Sequence, residues 1–180
     1  GFPALPATPR SSMRRGVSQS VPPPAPPAGR FDVRSGCAVH LFPVRIYFED
    51  TDLSGVTYHA NYLRYMERAR SDMLRSAGID QRRVHEAGEG AWAVTELAIK
   101  YRAPARLDDA LTVESQVMDV RGASVRIDQR ILCENRLLTD AHVTAAFVSP
   151  GGRPVRQPAD WVARFRQIMS GDLSQMESTR

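Results

Sequence analysis

One long amphipathic helix followed by a run of strands limits this chain to few folds. Between residues 61 and 77 the apolar set Leu63, Met66, Ala69, Met73, Leu74 and Ala77 recurs at three- and four-residue steps. Arg64, Arg68, Asp72 and Arg75 fall on the opposite side. Asn61 is the expected N-cap and Gly78 the expected stop. After a polar connection over 81–90 the texture turns to strands at 92–102, 111–120, 125–133 and 137–148. Arg121-Gly122 and Glu134-Asn135 supply turns, and Trp161, Val162, Phe165, Ile168 and Met169 predict a short closing helix over Ala159–Met169. This order reads as α+β. An antiparallel sheet must cover its apolar face, and only one long helix is available, so the sheet is expected to curl around it.

Before that helix lies the stretch richest in chemistry. Val44, Ile46 and Phe48 alternate with Arg45 and Tyr47, predicting a strand that feeds the acidic turn Glu49-Asp50-Thr51-Asp52. A loop built round Gly55 follows, and the helix opens near His59-Ala60-Asn61. Such a junction sets carboxylates beside free backbone N–H groups, which attract developing negative charge. A base beside an oxyanion site is what acyl transfer needs.

Asp50-Thr51-Asp52, Gly55, Tyr58-His59-x-Asn61-Tyr62 and Glu67-x-Ala69-Arg70 together resemble the signature of hotdog-fold acyl-CoA thioesterases. The nearest type is the YbgC-like, Tol-Pal-associated branch, with 4-hydroxybenzoyl-CoA thioesterase more distant. The resemblance covers roughly residues 44–158. It implies a sheet wrapped round one central helix, a homodimer or homotetramer with sites at the subunit interface, an acyl-CoA substrate and no cofactor. The implied setting is cytoplasmic, with peripheral membrane or Tol-Pal association left open. A hotdog dimer that binds acyl-CoA, an acyl carrier or an envelope partner without hydrolysing it is the alternative.

Asp52 has two readings. As an Asx-turn residue it organises the loop before Gly55; by resemblance it is the catalytic carboxylate, as general base or nucleophile, ahead of Asp50 and Glu49. His59 by resemblance gives its backbone N–H to the thioester carbonyl, and its imidazole is a second candidate group. Tyr58 is expected in the pocket wall, and Asn61 either caps the helix or contacts substrate. Glu67 shares the apolar side with Leu63, Met66 and Leu74, so it needs a partner, and Arg70 lies at i+3. That pair is structural, or Glu67 positions water. Arg121, at a strand turn, matches the region where the resembled family places contacts to the nucleotide of coenzyme A.

Composition excludes several classes. The formal net charge is +4, yet Arg10, Arg14, Arg15 and Arg30 supply all of it, because residues 1–30 contain no Asp or Glu. The remainder is balanced, which gives no basic body for nucleic acid. Cys37 and Cys133 form neither a metal pattern nor a disulfide framework, so free thiols in a reducing compartment are expected. The spacing of Glu49, Asp50, Asp52 and His59 matches no metal motif, no Gly-x-Ser-x-Gly elbow occurs, and no apolar run reaches transmembrane length. Residues 1–30 hold eight of the 13 prolines and are expected to be a disordered tail. The domain is expected over 38–170, with a short tail over 171–180.

Overall fold

The structure, a computed structural model, describes residues 28–174. Most of the expected tail, residues 1–27, and residues 175–180 lie outside them. Six antiparallel strands form one sheet: β1 (Arg30–Arg34), β2 (Cys37–Arg45), β3 (Ala91–Tyr101), β4 (Ala110–Val120), β5 (Ser124–Cys133) and β6 (Arg136–Val148), in the order β1-β2-β4-β5-β6-β3. Helix α1 (His59–Ser76) and helix α3 (Ala159–Met169) pack against β2 and β4 on one face, and α2 (Gln81–Glu86) touches β3. This is the expected α+β arrangement of a curled sheet against a long helix. β1 and α2 are elements that the sequence reading did not place.

Alternation builds the inner face. Leu111, Val113, Ser115 and Val117 on β4 are all buried, as are Val125, Ile127, Gln129 and Ile131 on β5. Against them α1 sets Met66, Ala69 and Met73, each fully buried. Burying each methionine stabilises the fold by roughly 1.5–3 kcal/mol. Tyr62 and Tyr65, absent from the expected apolar set, are buried too. Tyr62 earns that place by accepting the Ala105 N–H at 2.9 Å, which ties α1 to the β3–β4 connection. The end of α1 agrees with expectation. Gly78 is left-handed at φ +74°, the Gly78 N–H meets the Arg75 carbonyl at 3.0 Å, and the Ile79 N–H meets that of Leu74 at 2.9 Å.

One charge of the expected solvent face of α1 points inward. Asp72 is 6% exposed and receives His40 Nε2 at 3.0 Å, the Gly29 N–H at 2.8 Å and Arg75 Nη1 at 3.2 Å. His40 is wholly buried, and burial pushes its pKa down despite the aspartate. A neutral ring donating from Nε2 fits this, and leaves Nδ1 unpartnered. A Cβ at Gly29 would stand 2.4 Å from the His40 ring, so only glycine lets the backbone reach Asp72 here.

Candidate active site

β2 stops at Arg45, so the expected strand through Phe48 does not form. The Asp50 carboxylate takes the Tyr47 N–H at 2.8 Å, and the Asp50 N–H reaches the Tyr47 carbonyl at 3.0 Å. This local capture curls Phe48–Asp50 into a single 3₁₀ turn and leaves Phe48 81% exposed. The chain then doubles back: Thr51 bridges Thr57, the Asp52 N–H meets the Val56 carbonyl at 3.1 Å, and Gly55 at φ +74° closes the bend.

Within that bend Asp52 serves the Asx-turn role. Its Oδ1 accepts the Ser54 N–H at 2.8 Å and the Ser54 hydroxyl as well. Oδ2 has no partner among the described residues. The Ser54 hydroxyl and N–H hold the Asp52 carboxyl below the usual aspartate range, and the field of His59 adds to this. Asp52 is therefore an exposed, ionised carboxylate with one oxygen unspent. Ser54 was missed as a site residue, although a serine two residues after an aspartate is a legible Asx signal.

Helix α1 starts earlier than expected. Tyr58, with φ −58° and ψ 129°, is the N-cap, and no side chain caps the helix. Asn61 is consequently not the cap. It lies in the first turn, 7% exposed, and its Nδ2 donates to the Asp50 carbonyl at 3.0 Å, which ties the helix start to the acidic turn. The Tyr58 N–H binds the same carbonyl at 2.9 Å, and the Thr57 N–H holds the Ala105 carbonyl at 2.9 Å. The N–H groups of His59 and Ala60 find no acceptor among the described residues. Tyr58 and His59 are both exposed, with ring centroids 4.6 Å apart, and the Tyr101 hydroxyl donates to the His59 carbonyl at 3.1 Å.

Thus Asp52, Tyr58, His59 and Asn61 come together. Glu67 stands two turns further along α1, exposed, with the Ser71 hydroxyl at 2.8 Å. It faces the same side as Leu74 without being buried, and it closes no salt bridge with Arg70, whose Nη1 turns inward to Gln129 Oε1 at 2.7 Å. Arg121 follows β4 at the end of the sheet opposite to Asp52, because Ala110 at the start of that strand pairs with Arg45. Its Nε binds Asp119 at 2.9 Å. Among the described residues no cluster of His, Cys, Asp or Glu could hold a metal ion. Both cysteines are free, and burial pushes the Cys133 thiol up, away from nucleophile behaviour. No described helix is long and apolar enough to cross a membrane.

The Thioesterase-like superfamily matches residues 46–166. The acyl-CoA thioesterase YbgC of Haemophilus influenzae is 42% identical over 128 residues, 71% of this chain and 94% of that protein. The acyl-CoA thioester hydrolase YbgC of Escherichia coli O6:H1 is also 42% identical over 128 residues, covering 70% and 95%. The crystal structure of a probable thioesterase from Bartonella henselae superposes with a TM-score of 0.64 at 35% identity, covering 67% of this chain and 99% of that one.

Proposed function

The chain belongs to the Thioesterase-like superfamily and is a thioester hydrolase, and we propose that it cleaves acyl-CoA to a free acid and coenzyme A at Asp52. One observation carries this reading: a carboxylate with an unspent oxygen stands just before a helix whose first N–H groups lack acceptors. The thioester carbonyl oxygen takes the His59 N–H, with that of Ala60 beside it and the helix dipole behind both. Asp52, ionised at neutral pH, removes a proton from water as it attacks the carbonyl carbon. The tetrahedral oxyanion then collapses, the C–S bond breaks, and the thiolate of coenzyme A leaves and takes the proton. Direct attack by Asp52 Oδ2, giving a mixed anhydride that water opens, starts from the same ionised group. Tyr58 walls the site, and Asn61 holds the acidic turn against the helix so that carboxylate and donors keep their spacing.

The protein works as a homodimer or homotetramer. β3 is an edge strand, and its unpaired backbone edge invites a second copy. Arg121 is too far along the sheet to serve the Asp52 of its own protomer, so it grips the nucleotide of a substrate bound by a neighbouring copy. The free thiols suit a cytoplasmic setting.

Thiol release from short, long and aromatic acyl-CoAs tests the proposal. Hydrolysis of at least one class is expected. A folded oligomer that binds these thioesters but releases no thiol from any would replace the enzyme with a binding module.

A further inference from the structure

The helices leave part of the sheet open. α1 and α3 pack mainly over β2 and β4, while the inner face of β3 carries Trp92, Val94, Leu97, Ile99 and Tyr101. The bulge between Val94 and Glu96 keeps this stripe on one face, since Val94 pairs with Ala145 and Leu97 with Val143, both inward-facing. The stripe begins beside the proposed oxyanion donor, where Tyr101 binds the His59 carbonyl. It ends at a 140 Å³ pocket whose walls include Arg70, Leu74, Trp92, Val94, Ile127 and Ala145. Along α1, His59, Leu63, Glu67, Arg70 and Leu74 follow one another on one face. From His59 to Arg70 is about 16 Å along the helix axis.

The polar lining of this pocket is Glu67, Arg70, Ser71 and Gln81, and the Glu67 carboxylate is already bound by the Ser71 hydroxyl at 2.8 Å. Arg70 is largely buried, and desolvation works against its charge. Its only bonded partner among the described residues is the neutral amide of Gln129; Glu67 contributes a field but is bound to Ser71. A buried guanidinium normally takes a carboxylate or several acceptors. Trp92 Nε1 is buried and unpartnered as well. Gln129 is itself committed, with its Nε2 donating to the Met66 carbonyl at 3.0 Å and to Ser115 Oγ at 2.9 Å, so the clamp that aims Arg70 is rigid.

We propose that the groove between α1 and β3 holds the acyl group, and that Arg70 binds an oxygen acceptor, carboxylate or hydroxyl, at its far end. Arg70 is then a specificity residue outside the chemistry. The inference rests on the thioesterase reading and deepens it by naming the acyl class.

The test compares octanoyl-CoA, omega-hydroxyoctanoyl-CoA and the mono-CoA thioester of suberic acid on wild type, Arg70→Leu and Trp92→Phe. Wild type is expected to favour at least one oxygen-tipped thioester over octanoyl-CoA by about tenfold in kcat/KM, and the two tipped substrates show whether charge or hydroxyl is read. Arg70→Leu is expected to lose that preference while keeping octanoyl-CoA hydrolysis, with Trp92→Phe shifting it less. Equal rates for tipped and plain substrates in wild type, or an unchanged ratio in Arg70→Leu, overturn the inference and leave the thioesterase reading standing. Thermal shift of wild type by octanoic, omega-hydroxyoctanoic and suberic acids decides the matter without turnover. Stabilisation by a tipped acid over octanoic acid supports the site even if Arg70→Leu fails to fold; indifference among the three overturns it.

Discussion

Two aspartates lie near a histidine, one before α1 and one late in it, and their surroundings differ in almost every respect. Asp72 and His40 are buried, directly bonded, and backed by the Gly29 N–H and Arg75. Both Asp72 oxygens there are engaged in holding β2, α1 and residue 29 together. Asp52 and His59 are exposed and share only a field, Asp52 keeps one oxygen free, and the His59 N–H has no acceptor among the described residues. A carboxylate–histidine pair is thus no mark of catalysis by itself. What distinguishes the proposed site is a solvent-exposed carboxylate with an unspent oxygen at the uncapped start of α1.

That contrast is broken most severely by Asp52→Asn. Turnover is expected to fall by about 10²–10⁴ with the thermal midpoint unchanged, read by thiol release beside a melting curve. Asp72→Ala is expected to do the reverse. It leaves the buried His40 Nε2–H and the Gly29 N–H without their acceptor and costs about 1–3 kcal/mol of stability, measured by denaturant unfolding, while the folded fraction keeps its kcat. A stable but inactive Asp72→Ala protein would merge the two regions again. The smallest effect is expected from Ser54→Ala. In the wild type the Asp52 pKa is depressed, so its charge is present above that pKa and is lost only as pH falls through it. The acid limb of kcat/KM therefore lies below about 3.9, where an ordinary aspartate titrates, and Ser54→Ala moves it upward. An unmoved limb would detach Ser54 from the tuning of Asp52.

Legibility in the sequence followed the range of the forces involved. Helix α3 and strands β4 to β6 were readable because apolar periodicity is local, and Gly78 because a left-handed stop needs glycine. β1, Arg-Phe-Asp-Val-Arg, alternates over only five residues and leaves Val33 50% exposed, so it stands through its register with β2. α2 is one short polar helix, set by Asp80 accepting the Arg83 N–H at 3.0 Å. Helical periodicity assigned Asp72 to solvent because its partner on β2 is remote in sequence. The acidic turn and its neighbours were legible as a motif. The exact start of α1 was not, since Asn61 has the chemistry of a cap but finds a better acceptor in the Asp50 carbonyl.

The most direct test replaces His59 in two ways. Proline suits the first position of a helix, and Tyr58 at ψ 129° already has the extended backbone that precedes one. His59→Pro therefore removes the N–H while the helix remains, whereas His59→Ala removes the imidazole and keeps the N–H. Acyl-CoA turnover is expected to fall about 10²–10³ in His59→Pro and to change only slightly in His59→Ala. Comparable loss in His59→Ala, or near-normal turnover in His59→Pro, would contradict the claim that the open start of α1 stabilises the oxyanion.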